Sequence, residues 1–379
     1  MKKYANGFIT VVLISVFVFA SGVNLFATET RVSSMGGVGF FMKDNSNIFY
    51  YPGTINQYSG QVIGELRFKE NASSYTIGVN YPINDNSVFG MYLNRPMAIG
   101  VPYGVVQEVV LDHTTDFYYG MKSATFDLGF RLSAALDSYK DRDTVTKESA
   151  HYFAFGAGLS SEKTDIGLLA EMPGVNHKEP GNYEDKWSGF NFGAGARTFL
   201  GENTKIVPVV NFLMGSSKAE YDSTSANNDV EYTNMDLGLG VGLNHPINED
   251  NLLILGLELF GMSSRKSEID SGTTTTTVTT TMPGLYMGLE SRINSWLTGR
   301  VGAAQVFQTV KTKTKPFGGT EVENSGYNSN YDLYFGVGIN FSNFTLDAAI
   351  NEGLFFDGPN FISGTTNAIA NRLSLTYKF

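Results

Sequence analysis

The chain contains no cysteine, two tryptophans and four histidines, and only 17% of its 379 residues are charged. Without cysteine there are no disulfides and no thiolate metal centres. None of His113, His151, His177 and His245 is spaced four residues from another with a glutamate between, so a zinc-binding helix of that kind is excluded. The Gly-x-Gly runs at 156–158, 193–195, 238–240, 240–242 and 336–338 never extend to Gly-x-Gly-x-x-Gly. None is followed by Lys-Ser or Lys-Thr, so neither common phosphate-cradling turn is present. No cofactor, metal site or enzyme activity is expected. His113 near Asp112 and Asp116, and His151 near a link, read as solvated loop residues.

Long apolar runs are also missing after residue 27. No stretch reaches 18 residues, so the mature chain has no transmembrane helix. The one apolar run lies at the N-terminus: Lys2 and Lys3, then the uncharged Phe8–Ala20, then the small residue Ala27. This is the layout of a signal peptide over residues 1–27, cleaved after Ala27. No Asp or Glu precedes Glu29. Cleavage removes Lys2 and Lys3 and leaves 25 basic against 37 acidic residues, a net charge of −12. Such a balance argues against nucleic acid as a partner, since phosphate backbones call for clustered Lys and Arg.

What is abundant is glycine, 42 residues, and Phe with Tyr, 48 residues together. They fall into a period-two pattern. In 234–244, Met235, Leu237, Leu239, Val241 and Leu243 share one face, and Asn234, Asp236, Gly238, Gly240, Gly242 and Asn244 the other. Phe126–Ala134, Phe153–Leu159, Phe190–Ala196, Leu253–Leu259 and Leu333–Phe341 repeat it, while 204–214 carry apolar groups on both faces. Strand side chains alternate between faces. A soluble sandwich would carry Lys, Glu and Thr on its second face, whereas here that face is Gly, Ala, Asn and Ser. An apolar face toward lipid and a small or polar face toward a lumen is the pattern of an outer-membrane barrel. The expected fold is therefore all-β: a transmembrane antiparallel β-barrel over 60–379 with about 16 strands, or 14 if a weak run is misread. Its setting is the bilayer of the cell outer membrane, reached through the barrel-assembly machinery.

Short links at 160–164, 200–203, 292–295 and 342–343 alternate with polar stretches at 137–150, 173–186, 216–232, 263–277, 312–329 and 354–366, which read as long outer loops. The Thr-rich tract 273–281 reads as a loop running into a strand. Tyr81–Asn86 and His245–Asn251 are chemically alike and read as periplasmic turns. Tyr81, Trp296, Phe341, Phe344, Tyr377 and Phe379 suit an interfacial girdle. The final strand, with Leu373, Leu375, Tyr377 and terminal Phe379, resembles the assembly signal of bacterial outer-membrane barrels.

Alternation directs Glu65, Arg67, Asp127, Arg131, Glu171, Arg197, Asp236, Glu258, Arg300, Asp332, Asp347 and Arg372 into the lumen. They form either a paired network that braces the wall or holds a plug, or a selectivity field along a pore.

Residues 31–53, RVSSMGGVGFFMKDNSNIFYYPG, precede the first strand. Gly36, Gly37 and Gly39, then Asp44, Asn45 and Ser46, then Pro52 and Gly53, resemble the N-terminal segment of the long-chain fatty-acid transporter family. Tyr51 and Gly53 stand where that family commonly has Asn and Ala. The resemblance implies that residues 28–59 form a plug, or hatch, inside the barrel, and that hydrophobic molecules cross by diffusion; barrels of that family have 14 strands. The expected function is passage of small, hydrophobic molecules through a plugged lumen. An open porin for hydrophilic solutes and a non-transporting surface scaffold are the alternatives.

Overall fold

The computed structural model describes residues 29–68, 74–97, 111, 113–140, 146–178, 184–222, 229–270, 272–354 and 369–379. The expected signal peptide and nearly all of the 354–366 link lie outside these residues. The strands are β1 (Gln61–Arg67), β2 (Ser74–Asn84), β3 (Ser87–Pro96), β4 (His113–Met121), β5 (Asp127–Lys140), β6 (Lys147–Ser160), β7 (Thr164–Lys178) and β8 (Glu184–Thr198). They continue as β9 (Lys205–Glu220), β10 (Val230–Pro246), β11 (Asn251–Ile269), β12 (Thr274–Arg292), β13 (Leu297–Lys315), β14 (Val322–Phe341), β15 (Phe344–Ile350) and β16 (Ala370–Lys378). Each pairs antiparallel with its sequence neighbours, and β1 closes on β16 with Gln61 opposite Lys378 and Arg67 opposite Arg372. The result is a closed 16-strand barrel.

The alternation becomes an outside and an inside. Leu132, Phe155, Leu168, Phe190, Met214, Leu239 and Leu255 are exposed on the outer wall, while Arg131, Ala154, Arg197 and Ser133 are buried on the inner one. A closed barrel pairs every strand edge, and an apolar exterior fits a bilayer. Tyr81, Trp296, Phe341, Phe344 and Phe379 are exposed at the end where β1 begins and β16 finishes. There Phe344 stacks on Tyr377 at 4.6 Å, and Tyr81 approaches Phe379 at 6.3 Å.

The polar stretches taken for long loops are mostly strand, which corrects the sequence reading. β11 and β12 run to Ile269 and from Thr274, so 263–277 turns over only four residues, and the Thr tract belongs to β12. β13 and β14 likewise continue through most of 312–329. Hydrophobic alternation ends where lipid ends, but the backbone ladder does not, and Thr favours strands in water as well. Pro82 and Pro246 are also strand residues, opposite Val88 and Leu252. The wall is uneven: β10 to β14 have 17 to 20 residues, β1 and β15 only seven.

Inside lies the segment before β1. It comprises helix α1 (Glu29–Ser33) and three short 3-10 stretches, Val38–Phe40, Asn45–Phe49 and Pro52–Tyr58. Val32, Met35, Val38, Phe41 and Met42 pack with Phe199, Val207, Val209 and Ile254 of the wall. Ile48 and Ile55 pack with Ile63, Val88, Tyr92 and Tyr118. This explains the two-faced apolar character of 204–214: Val207 and Val209 face the segment, not water.

Candidate functional site

The contact between segment and wall starts from glycine. A Cβ on Gly302 would lie 2.2 Å from the Met35 carbonyl carbon, one on Gly129 2.1 Å from the Pro52 oxygen, and one on Gly167 1.9 Å from the Tyr50 oxygen. Gly242 and Gly256 receive the Phe41 ring. The small face of the strands is thus a set of sockets for the segment's backbone. Within the segment, Gly36 and Gly37 hold φ of +72° and +74°, a region disfavoured for side-chain-bearing residues, and Gly36 lies against the β13 backbone. Gly39 packs on Val32, and Gly53 on the ends of β5 and β6.

Polar anchors then fix the segment. Arg197 on β8 is completely buried together with Asp165 on β7, to which its Nε donates at 2.8 Å. Its Nη1 donates to the carbonyls of Gly39, Phe40 and Met42 at 3.2, 3.1 and 2.6 Å, and Nη2 to Asn47 Oδ1 at 2.7 Å. The guanidinium also lies over the rings of Tyr51 and Phe199, at 4.8 and 5.1 Å. Asp44 caps the Asn45–Phe49 turn by accepting from the Ser46 backbone and hydroxyl, while Asn47 reciprocates to the Asp44 amide. Pro52 opens the last turn, where its fixed φ suits a helical start.

Two further clusters grip the segment. Asp116 on β4 binds Arg95 and Arg131, and Ser133 donates to it; Arg131 Nη1 donates to the Phe49 carbonyl at 3.1 Å. Asp116 is fully buried, so its reading as a solvated loop residue is corrected: β4 begins at His113 and carries Asp116 into the barrel. On the opposite wall Arg31 makes a two-point pair with Glu290, 2.8 Å at both contacts, and reaches Asp44 at 3.0 Å. Arg300 joins Glu290 at 2.7 Å to Asp347 at 2.6 Å. Glu65 accepts from Thr30 at 3.2 Å and from Arg67 at 3.1 Å.

The segment's own titratable groups feel this enclosure. Burial pushes the Tyr51 hydroxyl up to about 12, with Arg197 opposing. Burial lowers Lys43, with Asp165 opposing; its Nζ donates to the Ser161 carbonyl at 2.8 Å.

The remaining inward charges lie apart from the segment's anchors. Glu171 accepts from Tyr152 at 2.5 Å and Glu258 from Tyr286 at 2.9 Å. Asp236 pairs with Arg265 at 2.7 Å, Asp332 is exposed, Asp127 sits half-buried at the start of β5, and Arg372 lies beside Arg67. At the end of the barrel away from the start of β1, Ala150, Val175, Trp187 and Ala219 form an apolar patch on the inner wall, with Leu111, Tyr221 and Tyr232 against it. Beside it His177 Nδ1 lies 2.6 Å from Glu148. In β16, Leu375 is exposed and Leu373 and Tyr377 half-buried on the outer phase, with Ser374 and Thr376 buried inside. Among the described residues, no group of three His, Asp or Glu side chains could hold a metal.

Sequence reasoning did not single out Arg31, Arg95, Asp116, Asp165 and Glu290 as lumenal. Two were within reach: Asp165 shares the phase of Glu171, and Glu290 that of Gly288. Arg31 stands outside any strand, so no periodicity could place it.

No protein-family model matches the chain, and no curated protein matches it by sequence. Among solved structures it is similar to the "TodX monoaromatic hydrocarbon channel deltaS2 mutant", with TM-score 0.41, 11% identity, 94% of this chain and 100% of that one covered. It is also similar to the siderophore receptor PirA from Acinetobacter baumannii, with TM-score 0.35 and 8% identity over 76% of this chain. The chain spans 61% of that receptor's length.

Proposed function

We propose that the protein is an outer-membrane channel in which residues 29–59 plug the end of the lumen nearest the termini, and that it passes small, mainly apolar molecules. An even strand number puts both termini on one side, the periplasmic side in bacterial barrels. The observation that supports the reading is the seating of the segment: glycine sockets on strands from β5 to β13 and the Arg197 clamp hold it against the inner wall on both sides. A 16-strand wall is wide enough for a water channel, so an obstruction this well anchored weighs against an open porin. The Trp187 patch, packed under Leu111, Tyr221 and Tyr232, gives the inner wall at the opposite mouth an apolar character.

The test is flux into liposomes carrying the purified barrel, with small aromatic hydrocarbons and fatty acids compared with sugars of similar size. Faster entry of the apolar solutes is expected. Equal rates for sugars would favour the porin, and no flux of either class, with or without residues 29–58, would sink the transport reading.

A further inference from the structure

The outer wall carries a feature that neither transport nor the plug uses. Lys140 on β5 stands directly opposite Lys147 on β6, and Lys147 directly opposite Lys178 on β7. All three are exposed and lie on the outward phase, in step with Leu136, Phe153 and Met172. Directly opposite residues sit about 4.5–5.5 Å apart at Cα, and like charges there repel. Lys178 pairs with Glu184 at 3.1 Å, a carboxylate shared with Lys186 at 3.2 Å. Among the described residues, Lys140 and Lys147 have no such carboxylate.

Two more observations indicate what would relieve the repulsion. One and two same-face positions nearer the apolar belt, the same two strands hold a depression of about 430 Å³. It is lined by Leu136, Ser138, Ser149 and His151 of the outward phase, together with Asp137 and Ala150 between them, so hydroxyl and imidazole groups stand beside one leucine and one carboxylate. The second is height. The lysines stand four to six residues beyond Leu136, Phe153 and Met172. At about 3.4 Å per residue and roughly 40° tilt that is roughly 10–16 Å above the apolar belt. An ordinary phospholipid headgroup layer is only about 5–8 Å deep on each side. A lipid whose phosphates ride on sugars reaches higher and offers hydroxyls to the depression.

We propose that the Lys140–Lys147–Lys178 row and the depression beneath it bind the phosphorylated sugar headgroup of a glycolipid in the surrounding outer leaflet. The lysines take the phosphate, Ser138, Ser149 and His151 face the sugar, and Leu136 meets the start of the acyl chains. The site rests on the bilayer placement of the outer wall and not on transport, so a barrel that shows no solute flux leaves it standing.

The experiment measures binding of diphosphoryl lipid A to the whole barrel in detergent by native mass spectrometry. Dephosphorylated lipid A and phosphatidylglycerol are the comparison lipids. The expected result is preferential retention of diphosphoryl lipid A, weakened at least tenfold in the K140Q/K147Q/K178Q variant. A K122Q/K163Q/K205Q control, at the other end of the barrel, should stay within twofold of wild type. The row variant should melt close to wild type, since it loses the Lys–Lys repulsion together with the exposed Lys178–Glu184 pair; if it fails to fold, K147Q alone should weaken binding at least threefold. Unchanged affinity in the row variant, or in K147Q where that stands in for it, overturns the site. Equal binding of dephosphorylated lipid A overturns the phosphate role, and equal binding of phosphatidylglycerol overturns the glycolipid assignment.

Discussion

Replacing Arg197 with Ala should release the inner segment while leaving the barrel closed. The substitution removes the ion pair to Asp165, three donations to segment carbonyls and one to Asn47. Asp165 is fully buried, and stranding a buried charge costs about 3–5 kcal/mol. Each segment acceptor left without a donor adds on the order of 1 kcal/mol, where water does not enter. Together these approach the whole stability expected of a docked 30-residue segment, whereas the barrel keeps every ladder bond. Single-channel recording in planar bilayers is the assay, with protease digestion of residues 29–58 in parallel. The wild type should show small, rare conductance and a resistant segment; R197A should show large, frequent openings and a cleavable one. Adding Asp165→Asn removes the stranded charge, so R197A/D165N should lie between the two. Wild-type conductance and protease resistance in R197A would refute the clamp, and with it the energetic reasoning.

The glycine sockets predict a sharp positional contrast: Gly302→Val and Gly129→Val should expel the segment and raise conductance, while Gly64→Ala, which meets nothing within 4 Å, should behave as wild type. Alkaline pH should loosen the segment. Tyr51 is raised to about 12 from a usual value near 10. Its contribution is therefore complete below pH ~10 and falls away up to pH ~12, by at most about 2.7 kcal/mol at 1.36 kcal/mol per pH unit. Conductance recorded from pH 9 to 12 should rise in that window. Tyr51→Phe should shift the rise upward at no cost near neutrality, because the Tyr51 hydroxyl has no hydrogen-bond partner among the described residues.

Much of this architecture was legible because lipid imposes a local rule. A strand between bilayer and lumen must alternate, so residues such as Leu239 and Gly240 declare their faces without any knowledge of neighbours. The same rule failed where the apolar belt ends: Thr274–Thr277 and Val322–Ser329 lost the pattern and read as loops, though their ladders continue. It also failed for Asp116, whose neighbour His113 drew the reading toward a solvated loop.

By itself the sequence determined that the chain closes into an antiparallel barrel of about 16 strands. Alternation and strand length are properties of adjacent residues, so one chain read in order contains them. Only the tertiary structure decided that Arg197 grips the carbonyls of Gly39, Phe40 and Met42, that Arg31 bridges Asp44 and Glu290, and that Gly302 and Gly129 are sockets. Those contacts join residues more than 70 positions apart in most cases, and they depend on barrel circumference and register. Closure sets both, and no local pattern encodes them.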